Sequence, residues 1–195
     1  DGADYSKNYS GEFFTERAST FYSPKIEFLS EFLETNERDL LDIGCGAGHF
    51  VFEALKSGFN AQGIDLGVKS IEYGNLEITK NLGIAPLRFV KDEDFLTEIS
   101  RFDGNIISAI GVIEHLVDPN KFAEAFQKSS ADYLYFSIPL FSLSVFLENV
   151  FKNTAPRLLS ISGGHTHLFS MKSYELLVKM FGAEVISEWR FGTDT

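Results

Sequence analysis

The 195-residue sequence contains little cysteine, little proline and few basic residues. Its single cysteine, Cys45, cannot form an internal disulfide, which argues against a small secreted scaffold and favours a reducing compartment. We therefore expect a cytoplasmic protein. Lys and Arg number 17 against 28 Asp and Glu, and no basic run interrupts the net charge of −11. Such a surface repels phosphate backbones, so we expect no nucleic-acid partner.

Long apolar runs are also missing. The most apolar stretch, residues 133–151, contains Pro139, several serines and Glu148, and it falls short of the roughly 20 apolar residues that a membrane span needs. Hydrophobic residues make up 44% of the chain and include 20 Phe. The length of the chain is within the size range of one domain. We expect a single domain over residues 1–195, whose phenylalanines fill a core or line a pocket.

Apolar runs alternate with amphipathic segments along most of the chain. Strands are predicted at 39–44, 61–66, 86–91, 102–110 and 133–138, with helices between them. A helix at 171–181 and a sixth strand at 184–191 complete the pattern. This alternation predicts an α/β fold, a mostly parallel, doubly wound sheet with helices on both faces.

Two segments lie outside the alternation. Residues 1–36 predict an amino-terminal cap segment whose helix begins after Pro24. Residues 140–168 predict a lid-like insertion at the carboxyl ends of the strands, where aromatic side chains would exclude water and Arg157 would pair with an anionic group. A dimer contact or a packed surface helix is the alternative for this insertion.

Three glycines follow the first predicted strand at alternate positions, namely Gly44, Gly46 and Gly48, with Asp42 inside the strand. Glycines in such a turn let the backbone bend tightly and approach a ligand closely. A dinucleotide-binding fingerprint has its third glycine where this chain has His49. The pattern instead resembles motif I of class I S-adenosylmethionine-dependent methyltransferases, whose glycine loop wraps the methionine end of the cofactor.

Acidic residues after the next two strands extend this resemblance. Asp65 ends the second predicted strand, and the resemblance implies that it accepts the ribose hydroxyls, with Leu66 beside it. A helix N-cap role for Asp65 is the alternative. Asp92 and Glu93 follow the third strand, where the family binds adenine. Asp94 is an alternative for that role, or these acids simply favour the start of a helix.

The segment after the fourth strand resembles the Glu-His segment of the branch that includes ubiquinone-biosynthesis O-methyltransferases. This resemblance implies that Ile110 lies beside the methionine part of the cofactor and that the Glu-His pair faces the reaction region. Gly111 stands where that branch often has a side chain. His115 is a candidate general base because imidazole titrates near neutrality. A structural histidine that holds the loop is the alternative.

Histidines also stand at positions 165 and 167, before the last predicted helix, in a segment that resembles methyltransferases acting on sugars, quinones or other metabolites. His167 is a second catalytic candidate, expected to contact substrate, and anchoring of the loop is the alternative. A metal site is not expected, because no third ligand stands at ligand spacing nearby. The aromatic residues near the amino terminus are hypothesised to close over the cofactor or to have no such role: Tyr5, Tyr9, Phe13 and Phe14.

The resemblance covers residues 39–191. It implies a Rossmann-like sheet of order 3-2-1-4-5-(7)-6, with the final antiparallel strand expected to be missing. It also implies S-adenosylmethionine as cofactor, S-adenosylhomocysteine as product, and a monomer or homodimer. Methylation is expected on an oxygen, ahead of nitrogen or carbon, of a small-molecule acceptor such as a sugar, a quinone-like phenol or a lipid intermediate. The alternatives are a nicotinamide- or flavin-dependent oxidoreductase and a non-catalytic relative.

Overall fold

The structure, a computed structural model, describes residues 11–33, 38–140, 167 and 169–190. Within these residues the helices are α1 (Gly11–Ser30), α2 (His49–Lys56), α3 (Val68–Leu82), α4 (Asp92–Ser100), α5 (Pro119–Lys128) and α6 (Met171–Phe181). The strands are β1 (Asp39–Ile43), β2 (Asn60–Asp65), β3 (Leu87–Phe89), β4 (Ile106–Ile110) and β5 (Tyr133–Ser137). A short 3-10 turn, Ile113–His115, lies between β4 and α5.

The five strands form one parallel sheet in the order β3-β2-β1-β4-β5. The predicted fold class and the predicted strand order through β5 are confirmed. The chain runs outward from β1 to β3, returns to β4 beside β1, and then continues outward to β5. The strand order therefore reverses between β1 and β4. In open α/β sheets, ligands bind outside the carboxyl ends of the strands at such a reversal.

Hydrophobic clusters cover both faces of the sheet. Residues that join the strands to α4, α5 and α6 on one face include Leu41, Ile107, Phe95, Phe122 and Phe181. Residues that join the strands to α1, α2 and α3 on the other face include Leu40, Ile106, Phe14, Phe50 and Ile71. Successive strand residues point to opposite faces, so the residues two apart from Leu40 and Ile106 also face α1 and α2. Phenylalanine is a core residue on both faces.

Helix α1 begins earlier than the sequence predicts. We expected a helix only after Pro24, yet α1 begins at Gly11 and contains Pro24 in its interior. Phe14 and Ala18 are fully buried, and the Phe14 ring packs edge-on against Phe52 of α2 at 5.4 Å. Most helical stability in proteins comes from such packing, and here it outweighs the backbone hydrogen bond that an internal proline removes.

The predicted sixth strand is wrong over the residues that the structure describes. Residues 183–190 follow α6 without strand structure, and Val185 and Ile186 remain exposed by 49% and 65%. A strand forms when a neighbouring backbone supplies its hydrogen bonds, and within the described part of the chain no ladder pairs with this segment. Trp189 instead contacts the Phe28 ring of α1, with ring centroids 5.9 Å apart.

Several predicted features lie outside the described residues, namely Tyr5, Tyr9, His165 and most of the lid-like insertion. Leu140 and Phe169, near the two ends of that insertion, form an isolated parallel bridge. Of the helices in the described ranges, none is long and apolar enough to cross a membrane.

Candidate functional site

The loop between β1 and α2 is shaped by its three glycines. Gly44, Gly46 and Gly48 have φ angles of 66°, 55° and 74°, in the left-handed region that L side chains rarely adopt. The backbone N–H groups of Gly44 and Cys45 both donate to the carbonyl of Ile64 in β2, at 2.8 and 3.1 Å. The loop is thereby tied to the neighbouring strand at the carboxyl edge of the sheet.

The three glycines differ in what surrounds them. A Cβ on Gly44 would lie 2.7 Å from Val112, and one on Gly48 would lie 2.6 Å from Leu87, so a side chain at either position would force its neighbour to shift. A Cβ on Gly46 would meet no atom within 4 Å. Gly46 therefore presents its backbone to open space, which is the property that close approach of a ligand to this loop requires.

Asp65 connects the glycine loop to the start of α3. Its Oδ2 accepts from the Gly46 N–H at 2.8 Å, and its Oδ1 accepts from the Gly67 N–H at 2.6 Å. The N-cap residue of α3 is Gly67, without a side-chain cap, so the capping alternative for Asp65 is not observed. Each carboxylate oxygen has a second lone-pair direction and can accept a further hydrogen bond. Asp65 is partly buried.

The other residues predicted near the nucleoside surround this edge. Leu66 follows Asp65 and is 47% exposed. Asp92 and Glu93 lie exposed in the first turn of α4, where negative charge suits the helix dipole. Asp94, the alternative to Asp92, lines a shallow groove of about 250 Å³ beside β3, together with Phe89 and other residues of β3 and α4.

Asp42 lies inside the sheet, beneath the loop. It is 3% exposed, and its Oδ1 accepts a hydrogen bond from the Ser108 hydroxyl at 2.7 Å. Burial raises the pKa of Asp42 to about 7, the Ser108 hydrogen bond lowers it, and the nearby Asp65 carboxylate raises it further. Asp42 is therefore a buried carboxyl group bonded to Ser108 of the neighbouring strand.

The end of β4 lies on the other side of the crevice between the carboxyl ends of β1 and β4, where the strand order reverses. Ile110, the last residue of β4, is half-buried, and Gly111 follows with a φ of 67°. The Gly111 N–H donates to the backbone carbonyl and the hydroxyl of Ser137, at 3.3 and 3.2 Å. A Cβ on Gly111 would have its nearest contact at 3.7 Å, with Glu114. The Gly111 backbone therefore faces a space that is wide enough for a side chain, and glycine leaves that space open.

The Glu-His pair is split between interior and surface. Glu114 is 4% exposed, whereas His115 is exposed. The backbone N–H of His167 donates to the Glu114 carbonyl at 3.1 Å, which brings the segment before α6 to the β4 side of the crevice. His115 and His167, both predicted as catalytic candidates, thus lie on segments joined by a backbone hydrogen bond.

Sequence reasoning did not single out two residues that support the site. Ser108 is the polar residue in an otherwise apolar β4, and that break in the pattern was an available signal. His49, the first residue of α2, is 8% exposed and stacks on Phe14 at 4.5 Å. Burial, with a smaller effect from Arg17, lowers the pKa of His49 to about 4, so this ring is neutral at physiological pH. No pattern in the sequence predicts the stacking of His49 on Phe14.

Similarity to a known protein family identifies the kind of domain that this site belongs to. Residues 14–188 match the family described as "Methyltransferase domain". The chain belongs to this family. The match spans the whole described sheet, α2 to α6 and most of α1, and it favours methyl transfer over the nicotinamide or flavin alternative on the same architecture. The predicted family is confirmed.

Curated relatives carry the name ubiquinone biosynthesis O-methyltransferase. The methyltransferase domain is 26% identical to the protein from Hydrogenovibrio crunogenus over 151 residues, which are 73% of this chain and 60% of that protein. It is 29% identical to the protein from Bordetella avium over 103 residues, which are 52% of this chain and 42% of that protein. The chain therefore spans about half of the length of these relatives.

Solved structures share the fold. Magnesium protoporphyrin IX methyltransferase from Synechocystis, crystallised with bound SAH, superposes with a TM-score of 0.59 at 13% identity and covers 88% of this chain and 73% of its own. A SAM-dependent methyltransferase from Archaeoglobus fulgidus gives a TM-score of 0.57 at 17% identity, covering 87% of this chain and 72% of its own.

Proposed function

We propose that this methyltransferase domain uses S-adenosylmethionine to methylate an oxygen of a small-molecule acceptor. The observation that carries the proposal is the coupling of Asp65 to Gly46. A carboxylate at the end of β2 and an open-sided backbone in the glycine loop are joined by a 2.8 Å hydrogen bond at the carboxyl ends of β1 and β2, next to the reversal of the strand order. We propose that these two features bind the methionine end and the ribose of one extended ligand.

The described residues fit this cofactor. A side chain at Gly46 would enter the space that the ligand needs, while the Asp65 oxygens keep acceptor capacity for the ribose hydroxyls. Exposed Leu66 offers an apolar surface beside the ribose position, and Asp92 and Glu93 are proposed near the adenine amino group. Asp94 remains the alternative to Asp92, because it lines the groove beside β3.

When bound, the cofactor supplies an electrophilic methyl group. The protein then has two tasks, which are to align an acceptor oxygen with that methyl and to remove its proton. Ile110 and Gly111 border the space on the β4 side, and His115 is the proposed base because it is exposed at this edge. His167 is the second candidate, since its segment is bonded to Glu114.

The acceptor class rests on the relatives. The matched proteins from two bacteria are named as O-methyltransferases of ubiquinone biosynthesis, which supports oxygen as the methylated atom. We therefore propose a quinone-like phenol, a sugar or a lipid intermediate as acceptor. The net charge of −11 supports acceptors that are not nucleic acid.

Calorimetric titration with S-adenosylmethionine, S-adenosylhomocysteine and NAD tests the cofactor. We expect both sulfur ligands to bind at micromolar concentrations, with NAD bound far more weakly. Asp65→Asn should weaken S-adenosylmethionine binding about 10- to 150-fold, because a hydrogen bond to a charged group contributes about 1.5–3 kcal/mol. Asp103→Asn, an exposed acid before β4, is the matched control and should bind as the wild type does.

Binding of NAD in preference to S-adenosylmethionine contradicts the proposal. Incubation with a panel of phenols, sugars and lipid intermediates, followed by detection of S-adenosylhomocysteine, then tests methyl transfer. Tight cofactor binding with no product from any acceptor would favour a non-catalytic relative.

A further inference from the structure

A row of polar side chains crosses three strands in the interior of the sheet. Asp42 of β1 lies opposite Ser108 of β4, and Ser108 lies opposite Tyr135 of β5. Asp42 is 3% exposed and Ser108 is fully buried. Buried polar groups are costly unless they are hydrogen-bonded. The 2.7 Å bond from the Ser108 hydroxyl to the Asp42 carboxylate meets part of that need.

The surroundings of this row disfavour a charge. The row faces α1 and α2 among apolar side chains, and the Tyr135 ring stacks on Phe50 with centroids 5.9 Å apart. Among the residues that the structure describes, the titratable groups that interact electrostatically with Asp42 are Cys45 on the loop, Asp65 on β2 and Tyr135 on β5. A carboxylate, a thiol and a phenol add no positive charge. Burial thus holds the pKa of Asp42 near 7, against the opposing effect of Ser108.

Asp42 also lies directly before the glycine loop. It lies two residues before Gly44, so its strand leads directly into the glycine loop. The Asp65 carboxylate acts on Asp42 electrostatically and bonds to the Gly46 N–H. A cation that enters beside this loop would favour the ionised form of a nearby carboxyl group.

We propose that Ser108 is a positioning residue that holds the Asp42 carboxyl group ready to ionise, and that S-adenosylmethionine binding drives the proton from those Asp42 side chains that are still protonated to solvent. The inference rests on the proposed function, which places the methionine end of the cofactor, with its sulfonium and ammonium charges, along the glycine loop. In this step the carboxyl O–H bond breaks, the proton passes to buffer, and the carboxylate stays bonded to the Ser108 hydroxyl.

Calorimetry in buffers of different ionisation enthalpy counts the released protons. At pH 7 the wild type should release about half a proton more than Asp42→Asn, because a group with a pKa near 7 is half ionised there. Relative to Asp42→Asn, wild-type binding should tighten about eightfold between pH 6 and pH 7.5. The comparison with Asp42→Asn cancels the titration of the cofactor's own amino group.

Ser108 is tested by removing and restoring its hydroxyl. Ser108→Ala should move the midpoint of this pH profile upward, with weaker binding at pH 7 that recovers at higher pH. Ser108→Thr keeps a hydroxyl and should restore the wild-type midpoint. Tyr135→Phe is the matched control within the row, because burial raises the pKa of Tyr135 to about 12 and its phenol stays neutral. That variant should move the midpoint much less than Ser108→Ala.

Two outcomes of the binding measurements overturn the inference. In the first, wild type and Asp42→Asn bind with the same pH profile; in the second, Ser108→Ala and Ser108→Thr share one midpoint. Failure of the proposed function is distinct, since then no variant binds S-adenosylmethionine at any pH.

The stability of the ligand-free protein also tests the ionisation of Asp42. A carboxyl whose pKa is raised on folding stabilises the fold below its unfolded pKa and loses that contribution as pH rises through the folded value.

The free energy of unfolding of the wild type, relative to Asp42→Asn, should therefore fall between pH 5 and pH 8 without cofactor. A difference that stays flat over this range also overturns the inference, whatever the binding measurements show.

Discussion

The two sides of the crevice are built by different means. On the β1–β2 side, the loop, its glycines and Asp65 all come from residues 42–67, and short backbone hydrogen bonds join them. On the β4–β5 side, Gly111 bonds to Ser137 and Glu114 bonds to His167, so three distant parts of the chain meet.

This difference matches the two tasks of the proposed enzyme. One cofactor can be bound by a local motif whose conformation is set by glycines at defined positions. An acceptor site has to place a base against a different molecule, and the residues for it come together through tertiary contacts. We expect substitutions on the first side to affect cofactor binding and stability, and those on the second to affect turnover.

The largest expected effect is on turnover, when a candidate base on the β4–β5 side is replaced. His115→Gln should lower kcat for an acceptor found in the panel by about 100-fold or more, as loss of a general base does, with no change in S-adenosylmethionine Kd. His167→Gln is the matched comparison. If His167→Gln carries the loss instead, the base is assigned to the segment before α6. If neither variant lowers kcat tenfold, neither histidine is the base.

Helix α1 packs against α2, the helix that follows the glycine loop. Phe14→Ala should destabilise the protein by about 3–5 kcal/mol, because Phe14 is fully buried against His49 and Phe52. Phe21→Ala, on the same helix but at a position that is 57% exposed, should cost at most about 0.5 kcal/mol. Denaturant unfolding measures both. Equal effects would mean that α1 does not pack as described.

The glycine loop separates packing from ligand access. Gly48→Ala should destabilise the fold by about 2–4 kcal/mol, from backbone strain and from overlap with Leu87. Gly46→Ala should cost about 1–2 kcal/mol from strain alone. Nevertheless, Gly46→Ala should lose more affinity for S-adenosylmethionine than Gly48→Ala does, relative to the stability that each variant loses. Thermal unfolding with and without S-adenosylmethionine measures this, and the reverse order contradicts the assignment of Gly46.

The smallest expected effect concerns the segment that bears His167. Ser170 caps α6 through a capping box, with its hydroxyl accepting from the Ser173 N–H at 3.2 Å. Ser170→Ala should cost about 1 kcal/mol of unfolding free energy, whereas Ser170→Asp keeps an acceptor and should cost less. If kcat also falls in Ser170→Ala, the α6 start and the acceptor side are coupled.

Prediction from sequence succeeded where local patterns determine the structure. The alternation of apolar runs predicted the parallel sheet, and the glycine spacing predicted the loop that Asp65 joins. It failed for α1, whose residues around Phe14 have little helical periodicity and are helical because they pack on α2. It failed again for the sixth strand, because Val185 and Ile186 have the composition of a strand but no described ladder partner.

The sequence by itself determined the family, the fold class and the cofactor-side motif, because alternating hydrophobicity and left-handed glycines act over a few neighbouring residues. The tertiary structure alone decided that Asp42 is buried against Ser108, that Glu114 turns inward while His115 is exposed, and that His49 is a neutral core residue. Burial and pKa depend on side chains from distant segments, so no local pattern contains them.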